Sequence, residues 1–389
     1  MYSYIKDMTK YKDKENTSIH PIKLYFASIG GMIGLGNIVA VTSTLTFGGP
    51  GSIIWIWIAS ILGMLVKYSE IYLGIKYRVQ NPDNTFEGGP MYYLKAAFNN
   101  QYLPLLVCFF LCIYGVEIFQ FNVLTNTLEK TFGIQKNIAK LLLLISVIFS
   151  SMKGIKRFAN ICALLIPPFL ITYIIIGLWI ICDNYTKLPA IFSLIINSFL
   201  DFKSQKDSII FNSFLVTAHY GLSRAVYSGD IGIGYDAIIH SEIKSEQPEK
   251  QARMAIFCLF TDTLICTISL FILFATDIWQ QDITNDCYIK AALSIYLPQY
   301  YVDYFMAFLF ICTGFTTIVG YLVIGQKCAK FINVKYGQKF YVFYTILTFL
   351  FFSFYNPNFA LSIMSIVAGL LMSINILGLL KLRKRIKFI

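Results

Sequence analysis

The sequence predicts an all-α polytopic membrane protein of about ten spans in two sets of five, and three observations carry this. Of 389 residues, 57% are hydrophobic and 14% charged, against roughly 25% charged in an average soluble domain. Apolar runs such as 103–125 and 361–380 have the ~20 residues that a hydrocarbon core about 30 Å thick requires of a helix. Two of the runs are interrupted by glycines, each at the start of a set of five. A soluble fold is excluded.

Taken in order, 1–23 is polar, with five lysines and no apolar stretch before Leu24, so it reads as a cytoplasmic tail and not as a cleaved signal. Spans are expected at 24–47, 53–77, 103–125, 138–151 and 158–181, forming a first repeat over 24–182. An external connection, 183–211, leads to a second repeat over 212–380, with spans at 212–239, 252–276, 302–331, 340–354 and 361–380. A basic cytoplasmic tail, 381–389, closes the chain.

Charge supports this count. With both ends cytoplasmic, 23 lysines and arginines fall inside and 7 outside, while Lys67 and Arg224 lie within spans. That bias is the positive-inside pattern. It also accounts for the net charge of +11 without invoking nucleic acid. The expected location is a bacterial inner (plasma) membrane, with the lipid bilayer as surroundings; oligomeric state is not legible. The nine cysteines sit mostly in apolar stretches and form no C-x-x-C pair, so they read as small hydrophobes, not as disulfides or a zinc site. With three histidines and no nucleophile–base set or phosphate loop, the chain is expected to be no enzyme and to carry no cofactor beyond a coupling ion.

The interruptions carry the function. The first is Gly30, Gly31, Gly34, Gly36 and Asn37; the sixth span has Ser228, Gly229, Asp230, Gly232 and Gly234. Glycine-broken helices at corresponding positions of two halves point to an inverted-repeat transporter that holds its substrate near the midplane. Gly30 and Gly34 alone would fit a G-x-x-x-G packing motif, but Gly36, Asn37 and the acid in the sixth span exceed what packing needs.

An unwound helix offers an amino acid partners for both its charges. Amide groups at a half-helix start suit the carboxylate, glycines let the backbone approach, Asn37 can bridge substrate and ion, and carbonyls with Ser228 can accept from the ammonium. Sodium, a hard cation, suits hydroxyl and carbonyl oxygens. Thr313, Thr316 and Thr317 lie on roughly one face of the eighth span, within reach of carbonyls of Gly30 and Ile33. Alternatively these threonines bond back to their own helical turn.

The G-G-P-G ending at Gly51, then Trp55, Trp57, the run Gly63–Glu70, Lys76-Tyr77-Arg78 and Gly88-Gly89-Pro90-Met91-Tyr92-Tyr93 resemble the alanine or glycine:cation symporter family. Gly154-Ile155-Lys156-Arg157, 237–240, Asp262-Thr263-Leu264-Ile265 and Thr316-Thr317-Ile318 extend the resemblance over about 24–380. It implies the five-plus-five fold shared with neurotransmitter:sodium symporters, whose G-L-G-N is similar to Gly34-Leu35-Gly36-Asn37, and sodium-coupled uptake of alanine or glycine. It places substrate against Gly34, Gly36, Asn37, Gln120, Ser228 and Gly232, with Tyr321 where the family usually has tryptophan. It places sodium against Gly30, Ile33, Thr313, Thr316 and Thr317.

The chain also departs from that pattern. A hydrophobic segment usual ahead of the broken first helix is replaced by the polar tail. The Ser-Asn-Glu-Ala-Gly signature reads Ser228-Gly229-Asp230-Ile231-Gly232, a third-span asparagine becomes Glu117, and a last-span aspartate and proline become Ser365 and Ile374. Glu117 is a candidate coupling residue because a carboxylate inside the membrane costs at least a few kcal/mol and marks ion or proton pathways. A neutral acid bonded in the bundle, or one paired with Arg224, is the alternative. Lys67 and Glu70 are expected to pair and snorkel, and His219 and His240 to bond within their helix. Coupling to protons, another zwitterionic cargo, or a non-transporting sensor that retains the fold remain open.

Overall fold

A computed structural model of the chain describes residues 19–82, 85–200, 209–243, 247–281, 283, 287–352 and 357–388. The expected tail up to residue 18, Lys203, Lys206 and Lys244 lie outside the described residues, as does the end of the expected ninth span.

The first span is α1 (Pro21–Met32) and α2 (Ala40–Gly48), joined through a 3-10 turn at Leu35–Asn37 and bent by 62°. Pro21 starts α1 where a missing N–H costs nothing, and the ring of His20 accepts from Ile22 N at 3.3 Å. The second span, α3 (Ser52–Lys76), ends at a small antiparallel hairpin of β1 (Val79–Gln80) and β2 (Phe86–Glu87), followed by the short α4 (Pro90–Phe98).

The third span departs from expectation. Read as continuous over 103–125, it is two helices, α5 (Tyr102–Tyr114) and α6 (Ile118–Phe132), parted at Gly115–Glu117. The cause is crowding. A side chain at Gly115 would strike the hydroxyl of Tyr341 at 2.6 Å and the carbonyl of Tyr321 at 2.9 Å, so the backbone itself fills the contact with the eighth and ninth spans.

The expected fourth and fifth spans fall on α7 (Lys136–Ser151) and α8 (Gly154–Asp183), of which α8 is long and apolar enough to cross a membrane and α7, at 16 residues, is not. The expected external connection contains a helix, α9 (Leu188–Leu200), that lies on the start of α3. Gly51 N donates to Ser198 Oγ at 3.0 Å, and Phe199 packs against Trp55. The sixth span is α10 (Ile209–Ser228) and α11 (Tyr235–Ser241). After the short α12 (Pro248–Ala252) come α13 (Met254–Thr276), the short α14 (Tyr288–Ser294), α15 (Gln299–Ile332), α16 (Gly337–Phe352) and α17 (Pro357–Leu382).

Helices suit this solvent because they satisfy backbone groups internally, and lipid offers no substitute. Faces of α8 carrying Leu164, Ile171 and Ile175 point outward, whereas α15 is enclosed along most of its length by α1, α5, α6, α8 and α16. Both broken helices run beside α15, so the interruptions meet in the middle of the bundle.

Two polar expectations change here. Lys67 does not snorkel or pair with Glu70: it is fully buried and its Nζ lies 2.5 Å from Asp236 Oδ2 of α11. The restart of the sixth span at α11 sets Asp236 against the ammonium, and an ion pair is the less costly outcome for a buried charge. His240 is held from outside its helix, its Nδ1 lying 2.6 Å from Gln251 Nε2 of α12. His219 stacks edge-on against Tyr220.

Candidate functional site

The break in the first span exposes the backbone because its glycines leave room for other spans. A Cβ on Gly34 would collide with the Gln120 amide, and one on Gly36 would lie 2.7 Å from Arg224 Nη2. Gln120 Oε1 accepts from Leu35 N at 3.0 Å, so α6 pins the turn. In the sixth span Gly232 and Gly234 take φ of 80° and 95°, in the region open to glycine, and Asp230 between them and α10 sits at φ 47°. A non-glycine there persists only where its surroundings enforce it.

Between the breaks lies a small cavity of about 20 Å³, room for about one water. It is lined by Gly34, Gly36, Asn37, Gln120, Ser228 and Tyr321, six of the seven residues expected around substrate, and also by Thr317 and Glu117. Gly232 lies outside it: its carbonyl accepts from Asn375 Nδ2 at 2.9 Å, and Met372 packs over its Cα.

Asn37 donates through Nδ2 to Asp262 Oδ1 at 2.5 Å, and Ser228 Oγ donates to Asp262 Oδ2 at 3.1 Å. A single carboxylate of α13 therefore ties the two breaks together. Sequence reasoning used Asp262 only for resemblance, although an acid within an apolar run was signal enough. Tyr114, Tyr227, Arg224 and Asp230 also line the cavity and were not named as site residues.

The oxygens expected for sodium are partly assembled. Thr317 Oγ1 donates to Gly30 O at 3.1 Å and to Thr313 O at 3.0 Å, joining α15 to α1. Gly30 packs between Cys162 and Thr316. Thr313 and Thr316 bond to Leu309 and Cys312 of their own helix, at 2.9 Å and 2.8 Å. Ile33 caps α1 and is buried, its N–H donating to Ile29.

Glu117 is not paired with Arg224. Its Oε2 has no hydrogen-bond partner, and neither have Nε and Nη2 of Arg224. Glu117, at the helix break at 115–117, lines the cavity, and Arg224, also lining it, is held over Gly36.

Beyond Arg224 a second cavity, of about 440 Å³, is lined by Ala40, Thr44, Phe119, Tyr220 and Met372. It shares Gly36, Arg224 and Tyr227 with the small one. This is a volume typical of small-molecule sites, and it lies on the side of the bundle reached by α2, away from Pro21. Arg224 and Tyr227 thus stand between a vestibule and a cavity too small for any amino acid.

A model of the sodium:alanine symporter family matches residues 1–388. Among curated proteins, the chain is 29% identical over 368 residues to an uncharacterized transporter of Haemophilus influenzae, covering 92% of this chain and 80% of that protein. It is 25% identical over 346 residues to the sodium/alanine symporter AgcS of Methanococcus maripaludis, covering 86% and 75%. It is 26% identical over 328 residues to the probable sodium/glutamine symporter GlnT of Bacillus subtilis, covering 82% and 67%. The fold is similar to the Eremococcus coleocola manganese transporter, with a TM-score of 0.58, 14% identity and coverage of 97% and 78%. It is also similar to MhsT in complex with L-phenylalanine, with a TM-score of 0.56, 14% identity and coverage of 92% and 80%.

Proposed function

The chain belongs to the sodium:alanine symporter family, an integral membrane family of sodium-coupled amino-acid symporters, and we propose that its own cargo is alanine or glycine, carried into the cell by alternating access. The observation that supports a small cargo is the glycine-lined wall of the cavity. The side-chain positions of Gly34 and Gly36 are taken by the Gln120 amide and the Arg224 guanidinium, so substrate there meets those two groups drawn close against glycine backbone. A site drawn in this closely suits an amino acid with little or no side chain.

The roles follow from the partners. Arg224 presents two unpaired guanidinium nitrogens to the substrate carboxylate, a charge-assisted contact. Ser228, Gln120 and Asn37 surround the rest of the zwitterion, and Tyr321 closes the floor. Sodium is held by the carbonyls of Gly30 and Ile33 and the oxygens of Thr313, Thr316 and Thr317, the hydroxyl of Thr317 turning from Gly30 toward the ion. Gly232 shapes the break without touching substrate.

With the termini in the cytoplasm of a bacterial cell, the vestibule beyond Arg224 opens outward. Substrate then enters past Tyr227 and Arg224, and release requires α1 and α11 to part on the inner side. The test is uptake of radiolabelled alanine and glycine into proteoliposomes. An inward sodium gradient should drive accumulation of both, with glutamine a weak competitor. Equal uptake without the gradient, or a preference for glutamine, sinks the proposal.

A further inference from the structure

We infer that the basic tail after α17 is a strap: residues 383–388 seat on α3 at the end of the bundle opposite the vestibule, hold that end shut, and must lift before substrate is released there. The inference rests on the alternating-access reading above and says what keeps the release side closed.

A run of cations such as Lys381, Arg383, Lys384, Arg385 and Lys387 is ordinarily a solvated end. Here it has a seat. The ammonium of Lys381 lies over the Phe98 ring of α4 at 4.5 Å and Leu382 is buried, so the last turn of α17 is fixed. A 3-10 turn, Arg383–Arg385, then carries the chain onto α3. Tyr68, Tyr72 and Lys76 are spaced four apart and so share one face of that helix. Tyr68 Oη donates to Lys387 O at 2.8 Å, Lys76 Nζ to Arg385 O at 2.7 Å, and Arg385 Nη1 to Tyr77 Oη at 2.7 Å. Phe388 stacks on Tyr68 with ring centroids 5.2 Å apart, and Tyr68 stacks on Tyr72 at 6.3 Å. Ile386 packs against the core between them. Because α3 bonds main-chain carbonyls of the tail and stacks on its ring, the seat fixes the backbone of the segment and not only its charges.

Position gives the strap its role. The vestibule lies at the other end: Ser365 and Met372 of α17 line it, and α3 starts beside it, with Ser52 Oγ donating to Thr44 O at 3.1 Å. Both helices run from there to the tail. Lys67, Asp236 and Ser28 bind α3 to α1 and α11, the helices that must move for release. Helix α17 packs instead along α4, α5 and α6. The strap therefore joins two groups that opening separates. Contacts made in one state and lost in the other shift the balance toward the first.

The reporter is native. Cys258 of α13 is fully buried beside Ser28 and Asp236, so a water-borne reagent reaches its thiol only when the release side opens. Cys108 and Cys328 are buried as deeply where α5 meets α15, off that route, and serve as controls for general loosening. The purified protein in detergent is treated with a small hydrophilic methanethiosulfonate, and mass spectrometry reads the labelling rate at each cysteine. Ending the chain at Leu382 should raise the rate at Cys258 at least about fivefold, and Tyr68→Phe combined with Lys76→Met, which removes two donors and keeps the tail, about two- to threefold. Cys108 and Cys328 should keep their wild-type rates.

Wild-type protection of Cys258 in these variants overturns the inference, and so does a rise at all three thiols, because the tail then only supports the fold. If the shortened chain is not recovered folded, the double variant decides alone. The labelling needs no amino acid, so failure of alanine uptake with this pattern intact faults the cargo assignment and not the strap.

Discussion

Two polar centres lie within the same helix bundle, and they are built oppositely. At the first, Lys67 of α3 is 2.5 Å from Asp236, Ser28 of α1 donates to the other Asp236 oxygen, and the sulfur of Met32 lies 3.2 Å from the ammonium. Tyr235 Oη donates to Ala27 O at 3.1 Å beside them. This centre clamps α1, α3 and α11 together. At the cavity, Glu117, Asp230 and Arg224 are equally enclosed yet each leaves polar atoms unpaired. A buried charge with a partner holds structure; a buried charge without one awaits a ligand.

The largest way to break that contrast is Lys67→Met, which strands Asp236. Removing one partner of a buried ion pair costs about 3 to 5 kcal/mol, so melting in detergent should drop sharply or folded protein should be lost. Glu117→Gln, by contrast, should melt at or above the wild-type temperature, because it removes a charge that has no partner. Equal melting of the two variants would erase the distinction.

Next is Gly34→Ala. Its Cβ meets the Gln120 amide that pins the break, and kcat/KM for alanine should fall at least about tenfold, a barrier change of roughly 1.4 kcal/mol. Melting measured on the same sample tells a blocked site from a damaged fold.

Thr317→Val then probes the sodium oxygens. It deletes the hydroxyl bonded to Gly30 and Thr313, a contribution of about 1 kcal/mol. The sodium concentration for half-maximal uptake should rise several-fold at unchanged alanine affinity in saturating sodium.

The smallest effect is expected outside the membrane. Glu87 of the hairpin meets Lys330 at 2.7 Å, both partly exposed. Burial acts to raise the Glu87 carboxyl, but the hydrogen bond and charge of Lys330 and the charge of Lys327 outweigh it and hold it below its ordinary value. A lowered carboxyl stabilises the fold above its ordinary titration range and ceases to as pH falls through the lowered value. Glu87→Gln should therefore cost no more than about 1 kcal/mol at neutral pH, and less in acid, as thermal melting at two pH values would show.

Much of this was legible in the residues. Hydrophobic run length marks the long apolar helices, six among the described residues or seven with the bent pair, because bilayer thickness is fixed and helix rise is fixed. Glycines mark the first and sixth breaks, because only backbone without a Cβ tolerates such close neighbours. Threonines at 313, 316 and 317 share a face by helical period alone.

Other features had no local signal. The third break follows from Tyr341 and the carbonyl of Tyr321 pressing on Gly115, residues more than 200 positions away along the chain. The pairing of Lys67 with Asp236 instead of Glu70 depends on where α11 restarts after its break. Asp262 reads as one more acid in a span until it is seen bonding both breaks at once. The sequence by itself determined the membrane, the helical fold and two of the interruptions, since those depend on composition and local period. Only the tertiary structure decided which buried charges are answered and which are left facing the cavity, because pairing depends on distances between helices that no single helix specifies.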